Sequence, residues 1–286
     1  MKTTTTATAV GAATLLALAG CGSGPSEGDT VSLTDLREDV DAAMKDAGTG
    51  SMSAKAGQEK ITGDFDLSDA ESTSLKGDGG QQSVDVRQIK DDFYLKAPSP
   101  EMTQKGKTWI KADPDSKEPA TQQLGASLES MTKLKDPFAA IDGAKDVDAE
   151  VASVDGDEVT YEIALSKKQM AAVMKAQAKE AGDEQGAAMA EQGAQKTTVE
   201  LVVDGDDRPV KSTTTAGEQS LTVSYSDWGG DVSIKAPAKD SVGTPEVPEQ
   251  PAPGGSGGSG GSGSGGSGSS GSGGSGSGSG SGSSGS

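Results

Sequence analysis

The chain has 286 residues, with 25 Lys and Arg against 44 Asp and Glu, a formal net charge of −19. That balance excludes nucleic-acid recognition through phosphate neutralisation, and an anionic membrane surface repels the body of the protein. There is no His and one Cys, which removes His-based triads and general bases, His- and Cys-ligated zinc and any internal disulfide. Asn is also absent, so tight turns fall to Asp-Gly and Gly-rich pairs. The chemistry left is that of carboxylates, Ser and Lys, or none. The sequence reads as a non-enzyme with no cofactor and no metal.

The chain opens with Met1-Lys2, a run of Thr and the apolar stretch Ala7 to Ala19. A positive start, a short apolar core and small residues before a cut site make a secretory signal. About 13 apolar residues are too few for a bilayer span of about 20. Leu18-Ala19-Gly20-Cys21 matches the lipobox of bacterial lipoproteins, which implies diacylglycerol transfer to the Cys21 sulfur, cleavage before Cys21 and N-acylation. Each buried methylene of such an anchor adds about 0.8 kcal/mol, so two or three chains hold an acidic protein at a membrane. Residues 1–20 are thus read as signal peptide and 21–30 as a lipid-anchored flexible tether.

Leu33, Leu36, Val40 and Met44 recur at helical spacing, predicting a helix from Ser32, its cap, to Gly48. Short β-rich runs follow at Ile61–Leu67, Ser83–Lys90, Phe93–Ala97 and Thr108–Ala112. Val84, Val86 and Gln88 fall on one face. Leu124, Leu128, Met131 and Leu134 predict a second helix over Ala120–Leu134. Asp136-Pro137 then supplies a cap and an N1 proline before Phe138–Ile141. A hairpin is expected from Val151–Val154 and Glu158–Leu165 around Asp155-Gly156, with Val159, Tyr161, Ile163 and Leu165 on one face. Ser166 and Gln169 form a capping box for a helix to about Ala181, whose inner face is Met170, Val173 and Met174. Gly182, Gly186 and Gly193 predict a loop or frayed helix through Gln195. Thr197–Val203, Val210–Thr215 and Ser220–Ser226 read as a three-strand meander, with a last short strand at Val232–Ala236.

This order predicts an α+β domain over 31–242, a large antiparallel sheet covered on one face by helices. A Pro-rich spacer follows at 243–253. Residues 254–286 are Gly and Ser only, a composition that buries nothing and behaves as disordered coil with an r.m.s. span of about 30 Å.

Most motif matches fail on chemistry. Ser130-Met131-Thr132-Lys133 fits S-x-x-K, but the partner S-D-N element needs Asn and no K-T-G occurs. Acid-rich stretches at Asp113–Asp115, Asp146–Asp148 and Asp204–Asp207 lack the calcium-loop pattern with its closing Glu. Lys76-Gly77-Asp78-Gly79-Gly80 lacks the phosphate-loop Lys-Ser/Thr and reads as a turn. Trp109 and Trp228 fit either a ligand mouth or buried packing.

Five segments in chain order resemble the actinobacterial LppX/LprA/LprF/LprG lipoprotein family. They are Phe93-Tyr94-Leu95 with Lys107–Lys111; Asp136–Ile141 through Gly143–Val147; Val154-Asp155-Gly156 with Val159-Thr160-Tyr161; Val199–Pro209; and Val223–Gly229 with Val232 and Ala236-Pro237. The resemblance spans roughly Leu33 to Val242 and leaves the Gly/Ser tail outside. It implies a LolA/LolB-like fold, a curved antiparallel half-barrel covered on its concave face by helices. It also implies an apolar cavity that binds or carries a lipid or lipoglycan.

Met-rich helix faces adapt to variable apolar shapes, so Leu124, Leu128, Met131, Met170, Val173 and Met174 are the candidate cavity lining. The same residues fit a filled core by periodicity. The expectation is a monomeric lipoprotein on the extracytoplasmic face of the cell membrane, with an apolar lipid as ligand. The alternative is a ligand-free envelope interaction or sensor module with a filled core.

Overall fold

Ser32 starts the first helix by accepting a hydrogen bond from the Asp35 backbone N–H at 3.1 Å, and Gly48, at φ 74°, ends it. This helix, α1 (Leu33–Ala47), buries Leu33, Leu36, Val40 and Met44, the stripe its spacing predicts. The structure is a computed structural model that describes residues 24–68, 71–78, 83–180 and 182–245.

The strands are β1 (Thr30–Ser32), β2 (Thr49–Ala56), β3 (Glu59–Asp66), β4 (Ser72–Asp78), β5 (Ser83–Ile89), β6 (Asp92–Lys96), β7 (Trp109–Ala112), β8 (Asp148–Asp155), β9 (Glu158–Leu165), β10 (Thr197–Val203), β11 (Pro209–Ala216), β12 (Gln219–Ser226) and β13 (Val242–Gly243). They form one open sheet in the order β1-β8-β9-β10-β11-β12-β2-β3-β4-β5-β6-β7-β13, antiparallel except for the short β7–β13 pair. The other helices are α2 (Pro119–Thr132), α3 (Lys167–Glu180) and α4 (Glu184–Gly193). The fold is the expected α+β class, with helices on the concave face of a curved sheet. Curvature shows at Leu134–Lys135, which meets Tyr225 of β12 and Thr73 of β4, strands three positions apart.

The inner face carries two apolar clusters. The first joins α1, Phe138, Ile141 and Val173 of α3 to Tyr161, Ile163, Val199 and Leu201. The second joins Leu128 of α2 to Met52, Phe65, Leu75, Val86, Phe93 and Tyr225. Leu67 and Trp228 pack against both. The Trp228 indole donates to the Pro209 carbonyl at 3.1 Å, meets Phe65 edge-on at 5.3 Å and stacks on Tyr225 at 6.2 Å.

The structure corrects several expectations. β2 and β4 were not foreseen: small and polar residues dominate them, with one large apolar residue each, Met52 and Leu75. A small residue is required in β2, since a Cβ on Gly50 would lie 2.7 Å from the Phe65 ring. The frayed segment after α3 is instead α4, because Asp183 caps it by accepting from the Gly186 N–H at 2.8 Å. Val232–Ala236 is not a strand. It crosses the outer face, where Arg87 donates to the Lys235 carbonyl at 2.9 Å. Gly28 to Thr30, placed in the tether, hydrogen-bond to or pair with β8. Past residue 242 the chain adds Gly243 to β13 and bridges Pro245 to Thr103. Cys21, the lipobox Leu18, Ala19 and Gly20, and the Gly/Ser tail lie outside the described residues.

Candidate functional site

The second cluster is roofed by one helix. Directly paired strand residues point the same way, which sets the inner rows of the sheet. One row runs Tyr225, Met52, Gly63, Leu75, Val86, Leu95. A second, toward the hairpin ends, runs Val223, Ala54, Ile61, Gly77, Val84. The deep members Met52, Leu75 and Val86 are buried. Ile61, Val84, Leu95 and Leu221 are only partly buried, as are Leu124 and Met131 on α2, and all six pack against this cluster. They form a half-sealed apolar border between α2 and the sheet.

α2 is held at its middle and just beyond its C-terminal end. A Cβ on Gly125 would lie 2.4 Å from Pro114 N, so the helix rests directly on the chain leaving β7. Beyond its far end, the Tyr225 hydroxyl donates to the Leu134 carbonyl at 3.4 Å. Lys135 Nζ donates to Glu71 at 2.9 Å and Thr73 Oγ1 at 3.3 Å. Burial pushes the Tyr225 phenol well above its usual range, and nearby Asp136 adds to the shift. Burial also raises the Asp136 carboxyl, against the lowering effects of the Phe138 N–H and Arg37.

Five of the six sequence candidates divide between the clusters, and Met174 belongs to neither. Leu124, Leu128 and Met131 meet at the second. Val173 is buried in the first, and Met170 packs on its edge. Met174 lies by the C-terminal end of α4, where its Cε would be 3.4 Å from a Cβ on Gly193. Two grooves lie away from all six: one of about 400 Å³ on the outer face around Ser53, Thr62 and Ser224, and one of about 740 Å³ between α3 and α4. Trp228 is a packing residue between the clusters. Trp109 is buried on the outer face instead, with the Arg87 guanidinium 4.6 Å above its ring.

Sequence reasoning did not single out Thr73 or Lys135. It placed Gln88 in line with Val84 and Val86, and the sheet register agrees. Among the described residues no group of three or more Asp, Glu, His or Cys is arranged to hold a metal, and no helix is long and apolar enough to cross a membrane.

No family model and no curated protein matches the chain. Among solved structures, a LolA superfamily protein from Nitrosomonas europaea aligns at 9% identity over 69% of this chain and 92% of its own, with a TM-score of 0.31. Lipoprotein LppX from Mycobacterium tuberculosis aligns at 14% identity over 71% of this chain and 100% of its own, with a TM-score of 0.40. The chain is likewise similar to LprF from Mycobacterium bovis, at 12% identity over 74% of this chain and 100% of that one, with a TM-score of 0.41.

Proposed function

We propose that this protein is an envelope lipoprotein, anchored through Cys21 on the extracytoplasmic face of the cell membrane, that binds the apolar part of a lipid between α2 and the sheet. The observation that carries the reading is the unequal sealing of the two clusters. Among the described residues, the first has sixteen buried members and six partly buried apolar neighbours, and this half is a filled core. The second has ten buried members and nine partly buried apolar neighbours, of which Ile61, Val84, Leu95, Leu221, Leu124 and Met131 form the border beside one 14-residue helix. A half-exposed apolar border beneath a single helix suits an acyl chain, which gains from water-excluding contact without needing a fixed shape. Leu124, Leu128 and Met131 line the proposed site, while Met170 and Val173 support the other half. The lipobox agrees with this reading, since it delivers the protein to a lipid surface.

The test is native mass spectrometry of the full chain purified in neutral detergent. The expected result is a non-covalent excess mass that organic extraction removes and that yields a lipid, lost in Leu124→Glu. A bare mass, with no uptake of added diacyl lipids, overturns the reading and favours the filled-core alternative.

A further inference from the structure

The inner row next to the deep one runs Phe65, Thr73, Gln88, Phe93, Ala112 across β3 to β7. Its apolar members Phe65, Phe93 and Ala112 are buried in the second cluster. Two polar residues therefore sit side by side in the middle of an apolar row. Thr73 is fully buried, with 0% exposure. A polar group in such surroundings costs free energy unless it has hydrogen-bond partners. Gln88 does not fully meet that condition. Its Nε2 donates to the Lys90 carbonyl at 3.0 Å, which fixes the amide orientation, and its Oε1 is buried with no partner among the described residues. Lys135 reaches this spot from the end of α2 with its side chain only 13% exposed. Of its three ammonium hydrogens, Glu71 and Thr73 take two, leaving one donor for a ligand.

From this juxtaposition we infer that Thr73, Gln88 and Lys135 form a headgroup subsite for an anionic amphiphile that carries both a phosphoryl oxygen and a free hydroxyl. The inference rests on the lipid-binding reading above and adds to it the polar end of the ligand. Lys135 Nζ holds the anionic oxygen, the Thr73 hydroxyl bonds to the same group, and Gln88 Oε1 accepts from the ligand hydroxyl. The acyl chains then run along Val86 and Leu95 toward the half-sealed border. The net-negative body repels anionic ligands in general, so Lys135, largely enclosed and sharing its charge with Glu71, gives selectivity by position.

The test is competition among lipids with identical acyl chains, read by native mass spectrometry of the full chain in neutral detergent. Phosphatidylglycerol has the phosphate and the hydroxyls, phosphatidylcholine lacks the hydroxyl, and diacylglycerol lacks the phosphate. Phosphatidylglycerol is expected to lead diacylglycerol by about 10-fold, the worth of one charge-assisted hydrogen bond, and phosphatidylcholine by about 5-fold, that of one neutral hydrogen bond. Lys135→Met should bring it to the level of diacylglycerol, and Lys135→Arg should keep the lead. Gln88→Leu should remove the advantage over phosphatidylcholine, and it carries the test if Lys135→Met fails to fold. Equal binding of all three lipids overturns this subsite and leaves the apolar site standing. No binding of any lipid overturns both. Glycerol 3-phosphate or inorganic phosphate binding as tightly as phosphatidylglycerol assigns the polar cluster to a soluble phosphate and overturns the lipid source.

Discussion

Gly125 of α2 lies against Pro114 so closely that a Cβ at that position would come within 2.4 Å of the proline nitrogen and 2.6 Å of the Asp113 carbonyl carbon. Backbone on backbone leaves no side chain free to yield. This contact fixes the middle of the helix that roofs the second cluster. Gly125→Ala is therefore expected to destabilise the protein by about 1–3 kcal/mol, the usual cost of overpacking, although alanine is the better helix former. Urea denaturation of the two proteins checks it.

Trp228 is the one aromatic side chain that packs against both clusters. Trp228→Ala removes its contacts with Phe65 and Tyr225 and its hydrogen bond to Pro209 together. The expected loss is about 3 kcal/mol. Trp228→Phe should recover most of the packing and lose about 1 kcal/mol for the indole hydrogen bond. Thermal denaturation of both variants separates the two contributions.

Four hairpins share a two-residue loop whose first residue has positive φ: Gly57 at 59°, Lys90 at 55°, Gly156 at 62° and Gly217 at 61°. Lysine is the exception, and a left-handed conformation costs a residue with a Cβ about 1–2 kcal/mol. Lys90→Gly is expected to stabilise the protein by about 1 kcal/mol after glycine's entropic penalty. Its backbone bond to the Glu71 carbonyl needs no side chain and should persist. A higher urea midpoint with an unchanged slope is the expected readout.

Two aspartates give opposite pH dependences. Burial alone would raise Asp204, but hydrogen bonds from Arg208 and from the Arg208 and Asp206 backbones hold its carboxyl below the usual 3.8. Its contribution is present above the unfolded-state value and is lost as pH falls through the lower folded value. Asp204→Asn should cost about 1 kcal/mol at pH 6, as for a partly exposed pair, and less at pH 3. Asp136 is raised, chiefly by burial. Its protonated form is favoured in the fold, so its contribution is full below the unfolded-state value and declines as pH rises through the folded one. Asp136→Asn keeps an acceptor for the Phe138 N–H and should remove that decline. Denaturation of both variants between pH 3 and pH 7 checks the signs.

Much of the fold is legible in the sequence where side chains alternate with strong apolar contrast. The stripe of α1, the β8–β9 hairpin, the Ser166–Gln169 capping box and the β10–β12 meander all follow from local patterns. β2 and β4 were hidden because their inner residues include Gly50, Ala54, Thr73 and Gly77, which carry little apolar signal. Their smallness serves the neighbours: a Cβ on Gly50 would meet Phe65 at 2.7 Å. The proposed site was legible in part. Helical spacing found Leu124, Leu128 and Met131, but grouped them with Met170 and Val173, which the sheet places on the other cluster. Lys135 and Thr73 are 62 residues apart, and no local pattern links them.

The central claim is that an acyl chain enters the second cluster beneath α2. Trp228 packs against that cluster, whereas Trp109 is buried under Arg87 on the outer face. Fluorescence quenching by a diacyl lipid brominated on its chains therefore reports location, with Trp109→Phe isolating Trp228 and Trp228→Phe isolating Trp109. The account predicts quenching of Trp228 with saturation at one lipid per protein, while Trp109 keeps its emission. Equal quenching of both, or quenching of neither, would contradict it.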